Sequence, residues 1–320
     1  MAIKTAIIGL GIMGRRMLEQ MQQHGGYQLV ALWDPDDAAC AEAANLAPGA
    51  TVTPSAEDAI AMADLVYLAC PPVPRKAYAL AAAAAGKAVF LEKPLGVNIG
   101  ESEELVSKLA EYGVPAAVNF TQGASVALTR TVESATGGEL GELCGVDIVV
   151  TYSAWPREWQ KAADWLRFRD EGGMTREVIS HFLFFSERVL GPLSVTWSRP
   201  SYPADPALCE THLLARLETA DGLPVSVLAS VGGAQPDRQE LTIKGARQSR
   251  RITDFYARWS SDGGPFERID DGPEDPRSGA LQAQLGDLER CIAGKPNRLA
   301  TPAEALRVQK LIETMLQGQG

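Results

Sequence analysis

The first part of the chain alternates short apolar runs with stretches of helical periodicity, in which apolar residues recur every three or four positions. This pattern predicts strands at residues 4–8, 27–33, 51–52, 65–69, 88–92 and 116–120. It predicts the intervening helices at residues 13–24, 36–44, 56–62, 75–85 and 100–112. Strands separated by helices at this spacing are typical of βαβ units, so the sequence predicts an α/β fold with a doubly wound parallel sheet.

After residue 121 apolar positions alternate with polar ones, as they do in strands that have one buried face. Such runs predict strands at residues 144–152, 195–197, 210–218, 224–231, 239–244 and 248–255. Helices are predicted at residues 125–134, 176–189, 280–293 and 302–316. We therefore predict two domains, an α/β domain at residues 1–121 and an α+β domain with a largely antiparallel open sheet at residues 122–320.

Composition and charge narrow the classes of function. The chain has 320 residues, of which 46% are hydrophobic and 22% charged, and its net charge is −10. An acidic chain argues against a nucleic acid partner, and no apolar run reaches the ~18 residues that span a bilayer, so we expect no membrane partner. Five scattered cysteines and three histidines fit neither a disulfide framework nor a metal site. We expect reduced thiols, no bound metal and a cytoplasmic location.

A glycine-rich turn follows the first predicted strand. Gly9, Gly11 and Gly14 form the pattern G-x-G-x-x-G between an apolar strand and a helix, and this context makes the pattern informative. The first glycine allows a tight turn, the second lets a pyrophosphate approach the backbone, and the third lets helix and strand pack closely. The free N–H groups of the first helical turn, which includes Ile12 and Met13, favour an anion. The turn therefore predicts that the first domain is a Rossmann domain that binds a dinucleotide.

A carboxylate follows the second predicted strand, twenty residues after Gly14. Asp34 can accept hydrogen bonds from both hydroxyls of an adenosine ribose, and it would repel a 2′-phosphate. The adjacent residues Pro35, Asp36 and Asp37 include no cation that could neutralise such a phosphate. The sequence therefore favours NAD over NADP as the cofactor. The alternative interpretation of Asp34 is a helix cap or a turn former.

Two further segments carry a resemblance to a known family. Cys70-Pro71-Pro72 ends one predicted strand, and Glu92-Lys93-Pro94 ends the next within the run AGKAVFLEKPL. The motif GGELGEL, a GG…H segment at 172–181 and the final run AGKPNRLATPAEALRVQKLIE extend the likeness over essentially the whole chain. With these motifs the sequence resembles the Gfo/Idh/MocA family of NAD(P)-dependent oxidoreductases, named after glucose–fructose oxidoreductase and inositol dehydrogenase.

The resemblance implies roles for individual residues. In the family the lysine of the EKP segment contacts the nicotinamide ribose and the substrate hydroxyl, and an Asp-x-x-x-His pair completes the acid/base set. Lys93 is thereby implied as a proton-relay and substrate-orienting group, His181 as the general acid/base, and Glu177 as its partner. Histidine suits this role because it titrates near neutral pH, although Phe182 and its neighbours also fit a core histidine. Cofactor contacts are further implied for Cys70, Pro71, Pro72, Glu92 and Pro94, and substrate contacts for Asn119, Trp155 and Arg176.

Three positions depart from the family pattern. Glu177 stands where the family has an aspartate four residues before the histidine, and its longer side chain moves the carboxylate away from the backbone. Phe184 stands where an acidic residue is often found. Asn119-Phe120-Thr121-Gln122 stands where many members have an N-x-R segment. The first two changes affect the acid/base network, and the third affects a sugar-type polar pocket.

The stretch before the proposed catalytic helix is rich in tryptophan and arginine. Arginine binds carboxylate and phosphate groups through two parallel hydrogen bonds, so such side chains suit an anionic substrate. The alternative is that these arginines pair with the acidic residues Glu158, Asp164 and Asp170 at the surface. Arg176 is the one candidate for a substrate anchor.

The leading interpretation is an oxidoreductase that transfers a hydride between NAD(H) and a small polar alcohol or ketone of sugar or polyol type. Three alternatives stay open: an imino- or keto-acid reductase in the same fold, NAD-dependent glycosidase or lyase chemistry, and a catalytically silent NAD-binding sensor. The arginines favour the first alternative, whereas Lys93 argues against the second. Glu177 and Phe184 would favour the third.

The second domain is also predicted to mediate self-association. Alternating apolar residues such as Val225, Val227 and Ala229 define one face of its sheet, and broad apolar sheet faces rarely stay solvated. We therefore expect a homodimer or homotetramer in which this face meets a second subunit.

The cofactor assignment generates a prediction. Replacing Asp34 by alanine (Asp34→Ala) removes the acceptor for the ribose hydroxyls, so the Kd for NADH should rise more than the Kd for NADPH. Titration of both nucleotides by fluorescence measures the two constants. An equal loss of affinity for both would remove Asp34 from the cofactor assignment.

Overall fold

The computed structural model describes residues 2–269 and 272–318, which divide into two compact units. The first unit comprises the chain up to Ala124 together with Ser278–Leu306. The second comprises Ser125–Arg277 and the chain from Arg307 onward. Among the described residues, every helix is too short or too polar to cross a membrane.

The elements up to residue 119 alternate strictly between strand and helix. The strands are β1 (Ile3–Ile8), β2 (Tyr27–Trp33), β3 (Thr51–Val52), β4 (Leu65–Leu68), β5 (Ala88–Glu92) and β6 (Ala116–Asn119). The helices between them are α1 (Ile12–His24), α2 (Asp37–Leu46), α3 (Ala56–Met62), α4 (Pro72–Ala84) and α5 (Ile99–Tyr112).

The rest of the described chain contains the remaining strands and helices. Its strands are β7 (Leu143–Tyr152), β8 (Leu193–Ser201), β9 (His212–Thr219), β10 (Pro224–Val231), β11 (Arg238–Gly245), β12 (Ser249–Thr253), β13 (Ala257–Ser261) and β14 (Glu267–Ile269). Its helices are α6 (Val126–Thr136), α7 (Ser180–Leu190), α8 (Pro276–Ile292) and α9 (Pro302–Gln317). Short 3₁₀ segments occupy Glu158–Gln160 and Asp164–Arg167, and a π-helical segment occupies Thr175–Ile179.

The first six strands form one parallel sheet in the order β3-β2-β1-β4-β5-β6. This order reverses direction at β1, so the β1 and β4 ends border the crevice where doubly wound sheets bind ligands. The α/β prediction is confirmed. Helix α4 begins at Pro72 rather than at residue 75, because proline is tolerated in the first helical turn, where its missing N–H is not needed.

The core of the first unit includes a helix from far along the chain. Leu281, Leu285 and Leu288 of α8 are almost completely buried and join the cluster formed by β1, β4 and α1. The Tyr27 hydroxyl donates to the Leu285 carbonyl at 2.6 Å. A single division after residue 121 therefore does not describe the units, because residues 278–306 bury their apolar side chains in the first one.

The second sheet is mostly antiparallel, with the order β14-β13-β12-β11-β7-β10-β9-β8, and within the described strands only β7 and β10 pair in parallel. The prediction of a largely antiparallel open sheet is confirmed. Strand β8 is longer than the predicted residues 195–197 because it pairs with β9 along its whole length. Strands β13 and β14 were not predicted.

The sheet face predicted for self-association is buried within this chain. Val225, Val227 and Ala229 are buried within this chain, at 0%, 3% and 2% exposure. Side chains of β10 alternate between faces, so the open face instead carries Leu228, which pairs with Leu214 of β9. These two leucines are 44% and 47% exposed.

The predicted strand at residues 248–255 is interrupted by a sharp turn. Strand β12 ends at Thr253, and Asp254 and Phe255 adopt φ values of +50° and +67°. The chain then reverses into β13, which pairs antiparallel with β12. This turn was not predicted because neither of its residues is a glycine, the residue that such φ values favour.

Candidate active site

The glycine turn between β1 and α1 is shaped by close backbone contacts. A Cβ on Gly9, whose φ is +93°, would lie 2.4 Å from the Cys70 nitrogen, and one on Gly14 would lie 1.9 Å from the Gly9 oxygen. A Cβ on Gly11 would meet no atom within 4 Å. Gly9 and Gly14 are therefore required by packing within the chain. Gly11 leaves an open surface that a ligand can approach.

The N-terminus of α1 is free to hold an anion. Gly11 is its N-cap residue and supplies no side-chain hydrogen bond, and the first turn contains no acidic residue. The backbone N–H groups of Ile12, Met13 and Gly14 lie in this first turn, where the helix dipole also favours negative charge. The predicted phosphate-binding residues therefore have the geometry that a pyrophosphate needs.

Asp34 lies beside this turn in the place predicted for the ribose-binding carboxylate. Its Oδ2 accepts a hydrogen bond from the Leu10 N–H at 2.6 Å, and its Oδ1 accepts one from the Asp36 N–H at 2.9 Å. The structure also brings Arg15 to the turn, which sequence reasoning missed. Arg15 donates to the Leu10 carbonyl at 3.0 Å and pairs with Glu42 at 2.9 Å.

These features together fit a nicotinamide dinucleotide. Open space at Gly11, an uncapped helix N-terminus and a fixed carboxylate at Asp34 match the pyrophosphate and the adenosine ribose. The carboxylate is held by backbone N–H groups from both sides, so its position does not depend on the ligand.

A buried arginine joins the two segments predicted to contact the nicotinamide end. Arg75, which is 2% exposed, donates from Nη2 to the Cys70 carbonyl at 2.6 Å and from Nη1 to the Glu92 carbonyl at 2.7 Å. Nη1 also bonds the Pro94 carbonyl. One guanidinium therefore holds Cys70-Pro71-Pro72 and Glu92-Lys93-Pro94 together. Sequence reasoning missed Arg75, although a cation in the first turn of a helix opposes the helix dipole and so suggests another role.

Glu92 forms the centre of a buried polar network. Its Oε1 accepts hydrogen bonds from the Tyr67 hydroxyl and from Asn119 Nδ2, both at 2.5 Å. Its Oε2 accepts the Lys93 backbone N–H at 3.2 Å. Burial raises the pKa of the Glu92 carboxyl, and the hydrogen bond from Tyr67 and the charges of Lys93 and Arg75 oppose that rise.

Asn119, which was predicted to contact the substrate, belongs to the same buried network. Asn119 ends β6 directly opposite Glu92 in β5, and it is completely buried. Its amide nitrogen donates to the Glu92 carboxylate, so this donor supports the segment that carries Lys93. Substrate contact by Asn119 stays a prediction.

In the second unit, the helix that carries Glu177 and His181 begins with a π-helical segment, Thr175–Ile179, which continues into α7. Glu210 fixes its start by accepting the Thr175 N–H at 2.7 Å, and burial raises the pKa of the Glu210 carboxyl. A Cβ on Gly173 would lie 2.6 Å from Glu210 Oε2, and one on Gly172 would lie 2.3 Å from the Leu166 oxygen. The paired glycines are therefore required by this packing.

The Arg176 guanidinium is hydrogen-bonded to other residues of the chain. Its Nε and Nη2 bond the two carboxylate oxygens of Glu313 at 2.7 and 2.8 Å. Its Nη1 bonds the carbonyls of Arg169 and Gly172 at 2.7 and 2.9 Å. A buried bidentate ion pair of this kind holds two elements together, because either partner alone would be an uncompensated buried charge. Arg176 therefore has a structural role in place of the predicted role as a substrate anchor.

His181 is 8% exposed and lies on the first turn of α7. Its ring meets the Phe255 ring edge-on, with centroids 5.5 Å apart. Glu177 accepts a hydrogen bond at Oε1 from Gln160 Nε2 at 3.2 Å. Trp155 is held by a bond from its Nε1 to the Leu166 carbonyl at 3.0 Å. The second unit thus contains His181, Glu177 and Trp155, and the first unit contains the predicted cofactor residues and Lys93.

The contacts of Arg75 predict its contribution to stability. Arg75→Leu would leave three buried carbonyls without their donor, so the free energy of unfolding should fall by about 2–4 kcal/mol. The neighbouring Lys76→Leu is the matched control, because Lys76 forms a surface pair with Glu104 and its loss should cost about 0.5 kcal/mol or less. Urea unfolding of both variants measures the difference. Equal stability of the two variants would contradict the assignment.

Comparison with known proteins supports this assignment of the cofactor site. Residues 3–120 match the family model described as "Oxidoreductase family, NAD-binding Rossmann fold". An uncharacterized oxidoreductase from Streptococcus pneumoniae is 27% identical over 176 residues, which cover 53% of this chain and 46% of that protein. An inositol 2-dehydrogenase from Cereibacter sphaeroides is 34% identical over 149 residues, 44% of each chain. The chain thus spans about half the length of these curated relatives.

The fold of the whole chain also has solved counterparts. An inositol dehydrogenase homologue from Azotobacter vinelandii, in complex with NADH and myo-inositol, superimposes with a TM-score of 0.82 at 18% identity. The match covers 99% of this chain and 97% of that one, and at this identity it shows a shared fold. The glycine turn, Asp34 and the Glu92-Lys93-Pro94 segment all belong to the matched residues 3–120. The resemblance to the Gfo/Idh/MocA family is confirmed for residues 3–120, which match this family's model of oxidoreductases with an NAD-binding Rossmann fold.

Proposed function

We propose that this chain is an NAD-dependent dehydrogenase or reductase that acts on a hydroxyl-bearing carbon of a small polyol or sugar. The observation that carries the proposal is the buried arrangement around Lys93. Arg75 and Glu92 hold the Glu92-Lys93-Pro94 segment at the end of β5, in a sheet whose β1–α1 turn fits a dinucleotide. The named inositol dehydrogenases among its relatives favour a polyol substrate.

NAD would supply the hydride acceptor or donor, and the protein would supply binding and proton transfer. The first-turn N–H groups of α1 would hold the pyrophosphate, and Asp34 would hold the adenosine ribose. Lys93 would orient the substrate hydroxyl and relay its proton. His181 would act as the general acid/base, because oxidation of an alcohol needs a group that takes the hydroxyl proton. Cofactor contacts by Cys70, Pro71, Pro72, Glu92 and Pro94 belong to the same proposal.

Glu177 would act on His181 from one helical turn away. Its carboxylate is itself fixed by Gln160, which in turn accepts a hydrogen bond from Arg157 Nε at 2.7 Å. The Arg157 guanidinium lies over the Trp159 ring, 4.7 Å from its centroid. This chain of contacts restricts the Glu177 side chain, and a restricted carboxylate can replace the family aspartate.

The arrangement of arginines favours the polyol proposal over an imino- or keto-acid reductase. The acid hypothesis arose from the arginines before the proposed catalytic helix and from the departure at residues 119–122, and Arg176 was its one candidate anchor. All three nitrogens of the Arg176 guanidinium already donate to Glu313 and to backbone carbonyls. An arginine in this state would have to lose its buried partner before it could bind a substrate.

The proposal is tested with a panel of polyols, sugars, hydroxy acids and amino acids, each offered with NAD and with NADP. We expect steady accumulation of NADH with a polyol or sugar. Transient enzyme-bound NADH without accumulation would instead indicate glycosidase or lyase chemistry. Binding of NAD with no redox change toward any compound would indicate a sensor and would overturn the proposal.

The role of Lys93 has its own expected outcome. Lys93→Ala should lower kcat by ~10²-fold or more, because the variant lacks the group that relays the proton. Lys87→Ala, at the start of the same run before β5, is the control and should keep kcat within about twofold. A loss below threefold for Lys93→Ala would remove Lys93 from the mechanism.

We also propose that the chain forms a homodimer or homotetramer through the open face of the second sheet. Leu214 and Leu228 are adjacent on that face, and Trp197 of β8 is 39% exposed. Size-exclusion chromatography with light scattering should give at least twice the chain mass of 34.2 kDa. Leu214→Glu should shift the mass toward the monomer, because it adds a charge to an apolar interface. A wild-type mass near 34.2 kDa would contradict this proposal.

A cytoplasmic location is part of the same proposal. The cysteines are free thiols, and burial raises the pKa of Cys40, Cys70, Cys209 and Cys291. Unpaired thiols are typical of a reducing compartment.

A further inference from the structure

The turn between β12 and β13 places an aromatic residue in a backbone conformation that L residues rarely adopt. Asp254 and Phe255 have φ values of +50° and +67°, and the Tyr256 N–H closes the turn on the Thr253 carbonyl at 3.1 Å. Glycine is the usual residue at the second of these positions, because a side chain there crowds the backbone. Strained positions persist only where surrounding contacts fix them, and they cluster at functional sites.

The strained residue directs its ring at the helix that carries His181. The Phe255 and His181 rings lie 5.5 Å apart between centroids, with their planes at 78°. The Phe255 ring also stacks on Phe182, the next residue of α7, at 5.3 Å and with planes only 9° apart. All three side chains are at most 9% exposed. One ring from the turn thus contacts two consecutive residues of the helix.

We propose that Phe255 is a positioning residue for His181. Its ring restricts rotation of the imidazole, and the parallel stack on Phe182 fixes the ring relative to the helix backbone. Proton transfer depends on hydrogen-bond geometry, so an imidazole that is free to rotate would spend less time aligned with the substrate hydroxyl. The inference rests on the proposed function, because it assumes that His181 transfers the proton.

The backbone strain and the ring contact have different consequences, and two substitutions separate them. Phe255→Leu removes the ring but keeps a side chain in the left-handed region. Phe255→Gly also removes the ring, but glycine adopts the left-handed backbone conformation without strain. Leucine would normally stabilise a buried site far more than glycine. We expect the glycine variant to have a Tm equal to or above that of the leucine variant, because it relieves the strain.

The catalytic test uses the full chain, NAD and the best substrate of the polyol and sugar panel. Phe255→Leu should lower kcat by about tenfold or more, with KM changed less than about threefold. Phe255→Tyr keeps the ring and should restore kcat to within about threefold of the wild type. Tyr256→Leu is the matched control, because it removes the other aromatic ring of the same turn, and it should leave kcat within about twofold.

An independent measurement follows the imidazole directly. The chain contains three histidines, so the ring resonances are few, and the spectrum of His181→Gln identifies the one that belongs to His181. Phe255→Leu should move the His181 ring signals and leave those of His24 and His212 in place, because it removes the nearby ring current. Tyr256→Leu should move the His181 signals much less.

The outcomes separate the two proposals. If His181→Gln abolishes turnover but Phe255→Leu keeps the wild-type kcat, the positioning role is wrong and the proposed function stands. If kcat falls equally in Phe255→Leu and Tyr256→Leu, the turn acts only through general stability and the positioning role is again wrong. If the wild type turns over no compound of the panel, the proposed function fails and this inference fails with it. If His181→Gln keeps full activity, the acid/base role of His181 and this inference fail, and the proposed dehydrogenase activity stands.

Discussion

The candidate cofactor site depends on one geometric constraint, the parallel direction of the six strands of the first sheet. Parallel strands all end at the same edge, so segments far apart in the chain emerge side by side. Gly9 follows β1, Asp34 follows β2, Cys70 follows β4, and Lys93 follows β5. Close packing strengthens this convergence, because Gly9 has room only for a hydrogen where it passes Cys70. The binding chemistry is therefore a consequence of strand direction and order.

Buried polar groups hold this edge in one conformation. Arg75 and Glu92 are charged groups with almost no exposure, and a side chain of this type is tolerated inside a protein only when its hydrogen-bonding atoms find partners. Nη1 and Nη2 of Arg75 find them in backbone carbonyls of two segments, and the Glu92 carboxylate finds them in Tyr67, Asn119 and the Lys93 backbone. Alternative loop positions would leave these groups unsatisfied. The network thereby specifies the position of Lys93 more than it adds net stability.

In the second unit, buried polar contacts also fix the helix that carries His181. Glu210 accepts the Thr175 N–H at the start of the π-helical segment, and Arg176 pairs with Glu313 of α9. Phe255 then meets His181 from the sheet side, at the cost of a strained turn. π-helical segments and strained turns are both frequent at functional sites, since each re-aims a side chain that regular structure would direct elsewhere. Here the π-helical segment begins the helix that carries His181, the residue proposed as the general acid/base, and the strained turn contacts that helix through Phe255.

The sequence by itself determined the fold class, the strand and helix order and the residues of the dinucleotide turn. These features follow from local periodicity and from glycines at fixed spacing, which act over a few residues and are therefore visible in the chain. Tertiary structure alone decided which of the predicted site residues are already bound to other residues of the chain. Arg176 is bound to Glu313, 137 positions away, and Asn119 lies opposite Glu92 on the neighbouring strand. Helix α8 packs into the first unit, and the Phe255 ring contacts His181. All of these contacts join segments that are distant in the chain, and no local sequence pattern encodes such packing.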